Sequence, residues 1–250
     1  MVSEHIKYRR CKERDSDALK HLWPLCFTND SPNEIDTFFA RIYPICVPFA
    51  AFDGDKPISM LYLLPAQVRN SDECVRVWYL YAGGTHPSYR SNGYYRHLMN
   101  VARDWAVASD GVAIYLRPAE QSLFQYYSSL GYVEPIFTYT CENKRIIHGG
   151  HPISVDEYLQ RRATMLGLSA YLWDPIHPVL EHFLTGDRRA VTDDDGAMQL
   201  VCGSTVCEQL PHTMTDISQE IAALWIPTHS DQVLIDRIRS GISYSLFFGE

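Results

Sequence analysis

Between Cys74 and Leu116 the hydrophobic period changes twice, and few architectures accommodate such a change. Cys74 to Ala82 reads as an extended apolar run. From Gly93 the pattern becomes helical, with Tyr94, Leu98, Val101, Ala102, Trp105 and Ala106 on one face and Arg96, Asn100, Arg103 and Asp104 on the other. Asp110-Gly111 ends that helix. Val112 to Leu116 is then continuously apolar, as a strand buried on both faces would be. A strand, a helix and a second buried strand in this order predict a β-α-β unit with parallel strands. The loop inside the unit, Arg90-Ser91-Asn92-Gly93, leaves backbone N–H groups unpaired where the helix begins, a place suited to a phosphate.

The flanking segments extend the pattern. Ile6, Tyr8 and Arg10 alternate weakly within residues 5–13 as an opening strand. Asp15-Ser16 precede Leu19, Leu22, Trp23 and Leu25 at helical spacing, a capped amphipathic helix, and Ser31-Pro32 open a second with Ile35, Phe38, Phe39 and Ile42 on its stripe. Val47–Phe52 and Ile58–Leu64, joined by Asp53-Gly54-Asp55, predict an antiparallel hairpin. Beyond the β-α-β unit, Leu123, Phe124, Tyr127 and Leu130 mark a short helix stopped by Gly131, and Tyr132–Cys141 is extended again. The predicted order to about residue 148 is β-α-α-β-β-β-α-β-α-β.

The last hundred residues carry no second glycine motif. After a linker at His148-Gly149-Gly150-His151-Pro152, Ser154 and Glu157 form a capping-box pattern at a helix from Val155 to Leu166. A short helix is expected at Val179–Leu184 and a meander at Arg189–Asp193, Met198–Cys202 and Thr205–Leu210. A helix at Asp216–Trp225 and a closing strand at Ile242–Phe248 complete the expectation, with a domain of residues 1–147 followed by one of residues 148–250.

Charge and cysteine content narrow the classes of function. Lysine and arginine number 22 against 30 acidic residues, for a net charge of -8, and the basic residues come as doublets such as Arg9-Arg10, Arg161-Arg162 and Arg188-Arg189. Nucleic acid, which needs a clustered basic face, is not the expected partner. The seven cysteines (Cys11, Cys26, Cys46, Cys74, Cys141, Cys202, Cys207) show no metal-ligand spacing, so they read as small hydrophobes in a reducing compartment, with no metal expected. Met1-Val2-Ser3-Glu4-His5 lacks an apolar leader and no stretch approaches a membrane span. A cytoplasmic protein without membrane contact is expected, its oligomeric state open and a homo-oligomer possible.

Two blocks carry a family resemblance. Thr85-His86-Pro87-Ser88-Tyr89-Arg90-Ser91-Asn92-Gly93-Tyr94-Tyr95, followed some thirty residues later by Tyr127-Ser128-Ser129-Leu130-Gly131-Tyr132, resembles the GCN5-related N-acetyltransferases (GNAT), whose acetyl-CoA signature is R/Q-x-x-G-x-G/A. Arg90-x-x-Gly93 matches. Tyr95 stands where the family has a small residue that lets the helix start approach the pyrophosphate. The resemblance implies a mixed α/β sheet of the GNAT acyl-CoA N-acyltransferase fold over residues 5–145, followed by a smaller, degenerate GNAT-like C-terminal domain of the kind seen in tandem members.

It also implies acetyl-CoA as acyl donor and a primary amine of a small molecule as acceptor, with direct attack of the amine on the thioester. Tyr127, four residues before Gly131, falls where the family's tyrosine protonates the departing thiolate; Tyr126 is its lower-ranked neighbour. Tyr81, Ala82, Gly83 and Thr85 fall where the family's bulged strand binds the pantetheine arm, and Arg90, Ser91, Asn92, Gly93, Tyr94 and Tyr95 fall at the diphosphate. Gly83-Gly84 also reads as a plain strand end, and Tyr127 as a core tyrosine. His86, before Pro87, reads as structural. Trp78, Tyr79 and Tyr81 read either as core or as the wall of an amine pocket. No carboxylate lies in Val75–Ala82, so the general base is not evident; Glu120, water, or Glu250 with the chain's terminal carboxylate stand as candidates. Tyr95 and the missing base leave two alternatives open, an acyl-CoA-binding module without turnover and a transferase of another acyl group.

Overall fold

In a computed structural model, residues 5–69, 73–132, 134–141, 147, 150–165, 171–173, 188–202, 205–210, 217–228, 232, 235–236 and 243–244 are described. The elements are β1 (Ile6–Arg10), α1 (Ser16–Cys26), α2 (Pro32–Arg41), β2 (Val47–Asp53), β3 (Lys56–Arg69), β4 (Cys74–Thr85), α3 (Tyr94–Ala108), β5 (Ala113–Leu116), α4 (Ser122–Ser128) and β6 (Glu134–Cys141). They follow the predicted order. Beyond them come β7 (His151–Ile153), α5 (Val155–Met165), β8 (Tyr171–Trp173), β9 (Arg188–Thr192), β10 (Met198–Cys202), β11 (Thr205–Leu210), β12 (Ile217–Pro227) and β13 (Ser243–Tyr244).

Most strands lie in one mixed sheet of order β1-β2-β3-β4-β5-β12-β6-β13, with β8 against β3. Strict alternation divides the side chains of β3 between its two faces. Met60, Tyr62 and Leu64 join Leu19, Leu22 and Trp23 of α1 and Ile35, Phe38 and Phe39 of α2, while Leu61 and Leu63 join Leu98, Met99, Ala102 and Ala106 of α3. The sheet is therefore covered by helices on both sides, which is why β5 is buried at every position. At α2, Ser31 Oγ accepts from the Glu34 N–H at 3.3 Å and the Glu34 carboxylate accepts from the Ser31 N–H at 2.6 Å, a reciprocal cap. Asp15, expected to cap α1, makes no such bond. Its carboxylate accepts from the Lys12 N–H and from both arms of the Arg9 guanidinium at 2.7–2.9 Å, a stronger charged partner than a helix amide.

Several expectations beyond residue 148 change. Asp216–Trp225 is not a helix: Ile217–Pro227 is a strand, antiparallel to both β5 and β6. Ile217, Ile221 and Leu224 mimic helical spacing, but Leu224 and Ile226 face the α3 side and Trp225 the α1 side. A run buried on both faces loses the alternation that would reveal it. His151-Pro152, expected in a linker, belong to β7, which pairs with β9. The meander expected at β9–β11 forms, and its sheet has the order β11-β10-β9-β7. In α5 the Glu157 N–H donates to Ser154 Oγ at 3.0 Å. Val179–Leu184 lies outside the described residues, and of Ile242–Phe248 only the two residues of β13 are described.

Because β12 is the antiparallel neighbour of β6, with Ile217 opposite Cys141, residues 142–216 are an excursion between two adjacent strands. Elements on both sides of residue 148 thus share the large sheet. Cys11 and Cys46 are buried, Cys26 half-buried and Cys74 exposed, and these four are free thiols.

Candidate active site

The site forms where β4 and β5 part. They pair in parallel only at Trp78↔Ile114 and Tyr79↔Tyr115, so beyond Tyr79 the two strands diverge. Just past that point the β3–β4 register slips: Tyr62 faces Tyr81 and Met60 faces Gly84, leaving Ala82 and Gly83 opposite Leu61. This is a β-bulge, and Ala82 takes a left-handed φ of 46° to make it. The strand then continues to Thr85, so Gly83-Gly84 does not end it.

The two glycines instead admit neighbours from opposite faces. A Cβ on Gly83 would fall on the Tyr95 hydroxyl of α3, and one on Gly84 would come within 2.9 Å of Cys26 Cβ and 3.1 Å of Phe27 Cζ at the end of α1. Ser59 Oγ ties the strand end down, donating to the Gly84 carbonyl at 3.0 Å and meeting Thr85 Oγ1 at 2.9 Å.

The loop to α3 is braced from within. Ser91 and Gly93 take left-handed φ values of 65° and 78°, and the Asn92 side-chain amide donates to the Tyr89 and Arg90 carbonyls at 3.2 and 2.9 Å. Arg90 Nε donates to the Thr85 carbonyl at 3.1 Å. No side chain caps α3, and its first turn has no acidic residue. The first-turn amides of Tyr94, Tyr95 and Arg96 have no intrahelical carbonyl to bond. His86 serves the same loop, its Nδ1 accepting from the Ser88 N–H at 3.2 Å.

Two hollows meet at the bulge. The larger, about 900 Å3, runs from Arg90, Ser91 and Gly93 past Thr85 and Gly83 to Tyr127. The smaller, about 300 Å3, lies toward α1 and is walled by Trp23, Tyr79, Tyr81 and Ala82, with Asp30 and Arg117 as its charged groups. Phe27, Gly83, Leu123 and Tyr127 line both. Of the residues expected at the donor and as the acid, all but Asn92 line one hollow or the other; Asn92 supports the loop instead. Glu120 lines the larger hollow, its carboxylate accepting from Ser122 Oγ at 2.8 Å. Trp78 is core, packed on Trp105. Glu250 lies outside the described residues.

Phe27, Asp30 and Leu123 were not legible as site residues. Phe27 and Asp30 follow an amphipathic helix without any local motif, and only its docking on β4 brings them there. Asp30 is anchored by the Trp23 indole N–H, which donates to it at 2.7 Å.

Four phenols of the site, Tyr81, Tyr95, Tyr126 and Tyr127, are pushed toward their protonated form. Burial pushes Tyr127 upward, and the neighbouring Tyr95 hydroxyl pulls it partly back. Burial, with Asp30 and Glu34 nearby, takes Tyr81 up to about 12, and burial raises Tyr95 and Tyr126. Burial takes the Cys26 thiol up to about 11, against the pull of Arg90, so it is no thiolate nucleophile at neutral pH. A cleft with a helix N-terminus at one end and a protonated phenol at the other suits a phosphorylated thioester.

A sequence profile described as acetyltransferase (GNAT) domain matches residues 7–134, more than half of the chain. The chain belongs to the GNAT acetyltransferase family. Its members take the acetyl group from acetyl-CoA, and this GNAT protein is an N-acetyltransferase. Solved structures share the fold. Eis1 of Mycobacterium abscessus is 10% identical with a TM-score of 0.62, the match covering 93% of this chain and 76% of that one. A GCN5-related N-acetyltransferase from Kribbella flavida is 13% identical with a TM-score of 0.61, over 89% and 69%. A conserved protein of unknown function from Enterococcus faecalis V583 is 10% identical with a TM-score of 0.62, over 90% and 72%. No curated protein matches the chain in sequence.

For this GNAT chain the matched region includes the bulge, the loop and Tyr127, and stops where β6 begins. Among the described residues no helix is long and apolar enough to cross a membrane, and no group of His, Cys, Asp and Glu could hold a metal ion.

Proposed function

We propose that the protein transfers the acetyl group of acetyl-CoA to the primary amine of a small molecule, by direct attack and with Tyr127 as general acid. The observation that carries this reading is the position of Tyr127 in the wall common to both hollows, at the bulge where a donor lying in one would meet an acceptor lying in the other.

The larger hollow is the donor side. The first-turn amides of α3, with Arg90 and Arg96 beside them, supply positive potential for a diphosphate. Tyr95 does not fill that approach, because its hydroxyl reaches away to Gly83. Beyond Tyr79 the β4 edge facing β5 is released from pairing and has backbone groups to offer a pantetheine arm and a thioester oxygen.

The smaller hollow is the acceptor side. Aromatic walls receive the apolar body of an amine, and the Asp30 carboxylate at the rim attracts its ammonium form. The ammonium loses a proton to solvent, the neutral nitrogen forms a bond to the thioester carbon, and the carbon–sulfur bond breaks. The nitrogen releases its second proton to solvent, which in turn reprotonates Tyr127 after transfer. Tyr127 gives its proton to the departing thiolate, so amide and free thiol are the products.

Titration calorimetry with acetyl-CoA, followed by thiol-release assays over a panel of primary amines, tests the proposal. Binding together with amine-dependent thiol release is expected. Binding without release on any amine would leave a CoA-binding module, and preference for a longer acyl-CoA would change the group transferred.

A further inference from the structure

Tyr95 replaces a small residue at the start of α3, and the chain makes room for it at two places. Its ring stacks on Tyr126 of α4, centroids 6.5 Å apart and planes 22° from parallel. Its hydroxyl reaches β4 where Gly83 has no side chain. A phenylalanine would fill the same space and make the same stack. The hydroxyl therefore needs its own account, because it is buried and has no aligned hydrogen-bond partner. A buried polar group in that condition is destabilising and calls for an explanation, and a bond made at another stage of the reaction supplies one.

Tyr127 lines the same hollow as Tyr95 and Gly83, and its hydroxyl is the polar group the Tyr95 hydroxyl neighbours. The two phenols act on one another in opposite senses: Tyr95 makes Tyr127 easier to ionise, and Tyr127 makes Tyr95 harder. The direction of a bond between them follows from the chemistry: once Tyr127 has given up its proton its oxygen can only accept, so Tyr95 is the donor. Tyr126 and Tyr132 also touch Tyr127, but by ring edges, with centroids 5.3 and 6.2 Å away.

We infer that Tyr95 is a positioning residue of the transfer step, donating a hydrogen bond to the Tyr127 oxygen as Tyr127 passes its own proton to the departing thiolate. The inference rests on Tyr127 as the general acid. The balance is simple: the Tyr127 O–H bond breaks, the thiol S–H bond forms, and the Tyr95 proton stays on its own oxygen while facing the new phenolate. A hydrogen bond to a charged oxygen is about twice as strong as one to a neutral oxygen, so the contact stabilises the transition state more than the resting site.

The test is a cycle of Tyr95→Phe, Tyr127→Phe and the double variant, using acetyl-CoA and whichever amine of the panel turns over fastest. Tyr95→Phe is expected to lower kcat about tenfold or more while leaving the Kd for CoA close to wild type and the Tm unchanged or raised, since it removes an unpartnered buried hydroxyl. In the Tyr127→Phe background the same change is expected to do nothing further. An unchanged kcat in Tyr95→Phe, an equal loss in both backgrounds, or an effect confined to the Kd for CoA overturns the inference. If Tyr127→Phe itself keeps full turnover, the general-acid reading fails first. A crystal structure with CoA supplies an arm that needs no acceptor: the two hydroxyl oxygens are expected within about 3.2 Å, and a wider separation counts against the bond.

Discussion

Gly83 of β4 and Tyr95 of α3 form one steric unit: the hydroxyl of the tyrosine lies where the glycine's Cβ would be. Gly83 belongs to the bulge that parts β4 from β5, and Tyr95 to the helix start that would hold the diphosphate. The contact therefore joins the bulge to the start of α3, and a side chain at 83 requires a smaller one at 95.

Gly83→Ala is expected to destabilise the protein by about 1–3 kcal/mol, because the new methyl would also meet the rigid ring carbons Cζ and Cε2 at 2.6 and 2.9 Å. In a Tyr95→Ala background the same substitution is expected to cost far less. Urea denaturation of the four proteins in the cycle measures the coupling; additive effects would mean that the two residues do not share the space.

Tyr127→Phe is expected to lower kcat by about 10²-fold, with the Kd for acetyl-CoA within about twofold of wild type. The ring is buried in the cluster with Leu98, Leu116 and Ile226, and phenylalanine preserves that packing. Calorimetry and turnover on the same preparation separate the two quantities. Equal kcat would remove Tyr127 from the chemistry.

The pH dependence follows from the upward displacement of Tyr127 by burial. A general acid works while protonated, so its activity is lost only as pH rises through its folded value, which lies above the ordinary value of about 10. The kcat profile is expected to stay level through pH 9. A fall centred below that pH would assign the alkaline limb to another group.

Arg90→Ala is expected to raise the Kd for acetyl-CoA several-fold with little change in kcat. Its guanidinium lines the larger hollow, proposed as the donor side, beside the α3 amides, and its Nε bond to Thr85 orients it there. Wild-type affinity should fall with added salt more steeply than that of the variant, since an exposed charge contact is screened. Identical salt slopes would exclude Arg90 from the anion site.

Asp15 is predicted to stabilise the fold through Arg9 and the Lys12 amide. The Arg9 hydrogen bonds are the largest cause holding its carboxyl below the usual range, so the stabilisation is present above the unfolded value of about 4 and is lost as pH falls through the lower folded value. Asp15→Asn should lower stability by about 1–3 kcal/mol at pH 7 and flatten the acid side of the stability curve. Denaturation midpoints between pH 2 and 7 check both.

Much of the first half was legible because each element carried its own period. The stripe of α3, the uniformly apolar β5 and the turn at Asp53-Gly54-Asp55 are local signals, and each local preference agrees with the global arrangement. Arg90-x-x-Gly93 and Tyr127 four residues before Gly131 were likewise legible, since an anion-binding helix start and a spaced motif are properties of contiguous chain. Ile217–Pro227 was misread for the complementary reason: its strand character comes from β5 and β6 on either side, and no residue within it announces those neighbours.

Sequence by itself therefore determined the order of elements up to β6, the loop at the start of α3, the Tyr127 motif and the family, all through interactions a few residues long. Tertiary structure alone decided that β12 lies between β5 and β6 across a long excursion, that Phe27 and Asp30 line the smaller hollow, and that Tyr95 meets Gly83. Those relationships depend on how helices dock across a splayed and bulged pair of strands. Packing distances of that kind are set by the whole sheet, and no stretch of chain encodes them alone.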